Sequence, residues 1–389
     1  MKAKARAAGE DIIDFGMGNP DTPTPAHIVE KLTEAVRNPR THRYSNSRGI
    51  PGLRKALANY YGRRFGVDID PDREAIVTLG SKEGLANLTS AITSPGDVIL
   101  VPNPSYPIHQ FGFIIAGASV RNIPVKPDES FIKALEQAVQ HSVPSPTAVV
   151  LNYPNNPTTL EASLDFYSEV VDFCRKRGLY IISDLAYAEI YFGDAPPSIL
   201  QIPAAREIAV EFTSVSKTYS MPGWRIGFAA GNRKLIEALA RIKSYLDYGA
   251  FTPVQIAAAE ALNGPQDCVA EIRERYRVRR DVLIDGLVAA GWAVPRPNAT
   301  MFAWAPIPPQ FLHMGSLEFS KLLLKEAKVA VSPGAGFGEE GDNFVRFALV
   351  ENQQRIRQAI RTIKSFLAHA DSEVTATGTT WSGARASGQ

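Results

Sequence analysis

Through the middle of the chain, short apolar runs alternate with stretches of helical period: Ala75 to Leu79, Asp97 to Val101, Ala148 to Leu151, Tyr180 to Ser183, Ile208 to Phe212 and Ile226 to Ala230. Continuous apolar runs of this length, spaced by amphipathic helical patterns, predict a mostly parallel sheet with helices on its faces. Ligands of such sheets bind beyond the carboxyl ends of the strands. Several runs are followed at once by polar residues, namely Gly80-Ser81-Lys82, Asn155-Asn156, Asp184 and Ser214 to Lys217. One edge of the sheet is therefore expected to collect the chemistry.

From about Asp267 to Ala290, the residues Val269, Ile272, Tyr276, Leu283, Ile284 and Leu287 recur at helical spacing and predict a long helix linking two lobes. The run Arg273 to Arg280 on it is interleaved with Glu274 and Asp281, the pattern of a solvated helix face rather than of a nucleic-acid grip. After Gly291 the pattern is that of a smaller lobe ending in a helical stretch from Gln353 to Leu367. The expected fold class is α/β: a large domain with a mostly parallel sheet flanked by helices, plus a smaller α/β domain. The expected division is residues 1–45 as the N-terminal segment of the small domain, 46–285 as the large domain, 286–368 as the small C-terminal domain and 369–389 as a disordered tail. The tail, from Asp371 on, is mostly Ser, Thr, Gly and Ala with little to bury.

Composition narrows the function classes. The 42 Lys and Arg nearly balance the 40 Asp and Glu, and a formal charge of +2 supplies no field for gripping nucleic acid or an anionic membrane. Phe111 to Val120, the longest apolar run, is far short of the ~20 residues needed to cross a bilayer. No signal-like apolar stretch follows the basic start of the chain. Cys174 and Cys268 stand apart without a second thiol nearby, which fits a cytoplasmic protein. The histidines show neither HxH nor HExxH spacing, so no metal site is expected.

The densest chemistry is Ser214-Val215-Ser216-Lys217-Thr218-Tyr219-Ser220-Met221-Pro222-Gly223-Trp224-Arg225. A lysine amine attacks an aldehyde only when unprotonated, and a partly desolvated cationic pocket favours that state. The neighbouring hydroxyls and guanidinium suit a bound phosphate. Thr78-Leu79-Gly80-Ser81-Lys82-Glu83-Gly84 joins a strand to a helix, offering free amides to the same anion, with Ser81 as a plain N-cap the simpler alternative. Arg346, in the apolar run Asn343 to Ala348, needs an anion to justify its burial, either a protein carboxylate or the α-carboxylate of a ligand. Asp184 in Ser183-Asp184-Leu185-Ala186-Tyr187, taken alone, reads as a helix cap with Tyr187 as core, and Asn152 to Thr158 as a turn.

Together and in this order, the motifs resemble those of the class I and II aminotransferases, pyridoxal-phosphate enzymes of fold type I, from about Asp14 to Phe366. The resemblance implies pyridoxal 5'-phosphate held as a Schiff base on Lys217, with Asp184 on its pyridine nitrogen, Tyr187 and Asn156 on its 3'-oxygen and Tyr106 stacked on its ring. It implies a phosphate site of Ser81, Lys82, Ser214, Ser216 and Arg225, completed by Tyr44 from the other subunit of a homodimer. Substrate would meet Arg346 and Asn156, with the backbone of Gly18 closing the far side. Thr159 stands where the family has a glycine. The implied reaction is ping-pong amino transfer between an L-amino acid and a 2-oxo acid, with Lys217 moving the Cα proton.

The segments Thr78 to Leu85, Pro102 to His109, Ile242 to Pro253 and Val331 to Leu349 are most similar to bacterial glutamate-pyruvate aminotransferases, implying L-alanine and 2-oxoglutarate as substrates. LL-diaminopimelate, aspartate and methionine aminotransferases share the frame. A non-catalytic regulator built on this domain is not expected, because Gly18 lies too near Met1 for a DNA-binding module. Ser214 to Lys217 also satisfies S-x-x-K, but the partner motifs of penicillin-recognising acyl transferases are missing. Pro333 to Gly338 lacks dinucleotide-loop spacing and is expected to be a loop near the substrate entrance.

Overall fold

The computed structural model describes residues 1–377. Its strands in chain order are β1 (Ile13–Asp14), β2 (Ala75–Thr78), β3 (Val98–Asn103), β4 (Ser119–Pro124), β5 (Pro146–Asn152), β6 (Tyr180–Asp184), β7 (Ala209–Ser214), β8 (Gly227–Gly231), β9 (Phe302–Pro306), β10 (Val329–Ala330), β11 (Ser332–Pro333) and β12 (Phe344–Ala348).

Seven of them form one sheet in the order β2-β8-β7-β6-β5-β3-β4, parallel except that β8 runs against both neighbours. Every residue of β3, β7 and β8 is buried, because helices cover both faces, and this is why these strands read as unbroken apolar runs. The edge strand β4 was not expected. Its sequence SVRNIP buries only Ile123, so it carries no apolar run to be read.

A second, three-stranded sheet has the order β11-β12-β9, and the N-terminal β1 pairs in parallel with β10 beside it. Chain residues near position 13 thus pack with residues beyond 300. The helix Asp267–Ala289 connects the two sheets and buries the expected Val269, Ile272, Tyr276, Leu283, Ile284 and Leu287. The last helix, Gln353–Thr377, continues beyond Leu367 into the segment expected as a tail, and residues 378–389 lie outside the described residues.

The arginine run on the connecting helix is a solvated face only in part. Arg275 and Arg277 stay exposed, Arg277 paired with Glu274 and Asp281, whereas Arg273 lies against the ring of Tyr191 at 3.8 Å and donates to Glu189, and Arg279 and Arg280 are buried. Buried guanidinium groups need fixed acceptors, and segments far away in sequence supply them.

Candidate active site

At the carboxyl edge of the seven-stranded sheet lies a cavity of about 420 Å³, and every expected site residue except Tyr44 lines it. Lys217 sits on the one-turn helix Val215–Thr218 that follows β7, and its Nζ donates to the Gly18 carbonyl at 2.7 Å. Burial, then the charges of Arg346 and Arg225, lower the Lys217 ammonium from its ordinary value to about 8. That is the direction a nucleophilic amine requires.

Asp184 ends β6, one strand over, and is buried. Its Oδ1 accepts from the Ala186 amide at 3.2 Å while Oδ2 meets His109 Nε2 at 2.9 Å, so its role in the local turn and its exposure to the cavity coexist. Asn152, at the end of β5, donates to the Asp184 carbonyl at 2.8 Å and accepts from the Asn156 amide at 3.0 Å, tying the turn to the strand. Within that turn Thr159 has φ of 64°, the left-handed conformation a glycine adopts freely. Tyr187 is buried against Phe302 and Tyr106 precedes the helix Pro107–Ile115, and burial raises both phenols above their ordinary value.

The mouth of the sheet offers an anion cradle. Gly80, with φ of 85°, precedes the helix Ser81–Ile92, making Ser81 its first residue rather than its cap. A Cβ at Gly80 would lie 2.3 Å from Arg225 Nη2, and one at Gly227 would lie 2.4 Å from the Ser81 nitrogen. These glycines let a helix N-terminus, a guanidinium and the hydroxyls of Ser214 and Ser216, 2.9 Å apart, converge. Lys82 Nζ lies over the Tyr106 ring at 5.7 Å.

On the opposite wall Arg346 projects from β12. Its guanidinium is held between the rings of Phe302 at 4.0 Å and Phe337 at 4.5 Å, and Nη1 donates to Asn156 Oδ1 at 2.6 Å. Burial lowers it to about 10, which leaves it charged at neutral pH. Its Nε is buried without a partner, and its hydrogen-bond partners among the described residues are Asn156 and Ser332 rather than a carboxylate, so the alternative of a structural salt bridge is not what is found. Phe337 comes from the Gly334–Phe337 segment, the loop expected near the entrance.

Sequence reasoning missed His109, Phe302 and Phe337. His109 follows Tyr106 by one helical turn, which was the available signal; the two phenylalanines looked like ordinary core. Tyr44 is 86% exposed, its ring 4.8 Å from that of Tyr248, and it lies outside the cavity of its own chain.

Residues 10–363 match the family "Aminotransferase class I and II". A putative aminotransferase of Rhizobium meliloti, AatC, is 63% identical over 95% of this chain and 92% of its own. The glutamate-pyruvate aminotransferase AlaC of Escherichia coli is 56% identical over 94% of this chain and 89% of its own. Among solved structures, substrate-bound BacF of Bacillus subtilis superposes with a TM-score of 0.89 at 36% identity, covering 94% of this chain and 92% of that one. The chain belongs to the class I and II aminotransferases, and it is an aminotransferase that depends on pyridoxal phosphate. The glycine-lined anion cradle and the buried carboxylate of Asp184 fit a phosphorylated pyridine.

Proposed function

We propose that this aminotransferase moves the amino group of L-alanine to 2-oxoglutarate, giving pyruvate and L-glutamate. The observation that carries amino-acid chemistry is the pairing of a half-buried lysine, lowered to about 8, with a buried arginine that has no carboxylate partner among the described residues, in one cavity. Likeness to the Escherichia coli glutamate-pyruvate enzyme over nearly the whole chain supports the choice of substrates.

In this reading Ser81, Lys82, Ser214, Ser216 and Arg225 would hold the cofactor phosphate, Tyr106 would pack on its ring, and Asp184 would keep a proton on its pyridine nitrogen. Bound pyridoxal phosphate supplies an aldehyde that condenses with amines and a protonated ring that draws electrons from Cα. Arg346 grips the α-carboxylate through its planar fork, with Asn156 fixing the plane of the guanidinium. Lys217 Nζ would take the Cα proton as general base and, as general acid, deliver it to the carbon that bore the cofactor's aldehyde. Tyr187 and Asn156 would hold the 3'-oxygen. Donor and acceptor use one site in turn, so the kinetics are ping-pong.

We further assign residues 46–285 to the cofactor lobe, and 1–45 with 286–368 to a smaller lobe that closes on substrate. The protein is read as a cytoplasmic homodimer in which Tyr44 reaches the other subunit's phosphate site; the exposed rings of Tyr44, Tyr245, Tyr248 and Phe251 support such an interface.

The test is a panel of amino donors against pyruvate and 2-oxoglutarate, run beside Lys217→Ala. Alanine and glutamate should be the fastest donors, and borohydride should trap the cofactor's mass on Lys217 and none on the variant. Preference for diaminopimelate, aspartate or methionine would replace the substrate assignment, and retained turnover in the variant would end the role of Lys217.

A further inference from the structure

The segment from Gly16 to Thr24 crosses the mouth of the cavity as a strap. Ser332 Oγ donates to the Gly16 carbonyl at 2.5 Å, Lys217 to that of Gly18, and Thr22 and Thr24 meet Ser220 at 2.6 and 2.8 Å. Between these contacts, Asp21 takes a two-pronged bond from Arg279 of the connecting helix, Nη1 to Oδ1 and Nη2 to Oδ2, each 2.7 Å. Arg279 is 5% exposed. Its Nη1 also donates to the Leu349 carbonyl at 3.1 Å.

Asp21 lies three residues beyond Gly18, and Leu349 three beyond Arg346. One rigid guanidinium therefore ties together the two arms that frame the substrate end of the cavity. Between these arms sits the Phe302 ring, in contact with Arg346 on one side and so close to Gly18 that a Cβ there would fall 2.7 Å from it. If the strap drifted, Phe302 would lose one wall and the guanidinium of Arg346 one of its two flanking faces.

We infer that Arg279, through Asp21, is a positioning residue that sets the spacing between the Gly18 strap and Arg346, and so the affinity for the substrate's α-carboxylate. Planar two-pronged geometry matters here, because a lysine supplies charge without a fixed orientation. The inference rests on the proposed role of Arg346.

The experiment titrates the pyridoxal-phosphate-loaded protein, by the cofactor's absorbance, with two amines. One is 2-methylalanine, an amino acid without a Cα proton; the other is isopropylamine, which lacks the carboxylate. In Asp21→Asn and Arg279→Lys, the dissociation constant for 2-methylalanine should rise about tenfold, as for a lost charge-assisted hydrogen bond, with isopropylamine unchanged. Arg277→Ala, on the same helix but itself exposed and paired with Glu274 and Asp281, should match the native protein for both. Asp21 is more than one third exposed in its side chain, so its variant tests the inference even if Arg279→Lys folds poorly. Equal affinity for 2-methylalanine in Asp21→Asn, or parallel weakening of both amines, overturns the inference. A native protein that responds to isopropylamine but not to 2-methylalanine overturns the proposed function and this inference with it.

Discussion

His109 and Asp184 lie 75 residues apart in sequence, yet Nε2 of the imidazole stands 2.9 Å from Oδ2 of the carboxylate, with both side chains buried. A carboxylate only accepts, so the Nε2 proton is donated to it, while His109 Nδ1 is buried without an acceptor. The bond orients Asp184 toward the cavity.

His109→Phe keeps the ring and removes the donor. In the proposed mechanism Asp184 then wanders from the pyridine nitrogen, and kcat should fall about tenfold, the usual effect of losing one hydrogen bond to a charged group. His109→Gln, which retains a donor, should recover part of the loss. Steady-state kinetics at saturating cofactor decide it.

Arg346→Lys keeps the charge but loses the planar group held between Phe302 and Phe337. KM for amino donors should rise by about one to two powers of ten with a smaller change in kcat, because a two-pronged bond made in ground state and transition state alike is lost. Half-reaction titrations with alanine measure it directly.

The depressed Lys217 ammonium predicts a pH profile. Neutral amine becomes the major form above about pH 8 instead of the ordinary 10.5, so capture of pyridoxal phosphate by the cofactor-free protein should rise through pH 8 and then level off. Between those values the unfolded chain binds more protons at this site than the folded one, so Lys217 adds stability as pH rises. Arg346→Gln removes a like charge and should move the midpoint of capture upward.

Gly80→Ala tests the anion cradle. The backbone, at φ 85° and ψ 155°, is in a region open almost only to glycine, and the new methyl group would meet Arg225. Strain of about 1–3 kcal/mol is expected. The variant should release pyridoxal phosphate about tenfold faster while Lys217 still attaches it, as read by cofactor fluorescence and borohydride trapping.

Much of the frame was legible because the signal was local. Strands β2, β3, β5, β6, β7 and β8 each announce themselves as short apolar runs, and the residues of the cavity follow those runs directly: Ser81 after β2, Asp184 at the end of β6, Lys217 after β7. Where burial is one-sided, as in β4, the run vanishes and so did the strand. The arginines of the connecting helix failed for a related reason. Alternating charge on a helix looks the same whether its partners are water or acceptors elsewhere in the chain.

By itself, then, the sequence determined which strand-to-turn units exist and which reactive side chain each one carries, since both depend on neighbours a few positions away. Tertiary structure alone decided that Arg346 meets Asn156 across 190 residues, that Arg279 reaches back to Asp21 and that His109 faces Asp184. Those pairings follow from the strand order β2-β8-β7-β6-β5-β3-β4 and from the packing of the N-terminal segment onto the second sheet. Local periodicity carries no record of which distant segment a buried charge will find, because that choice is made by the packing of the whole chain.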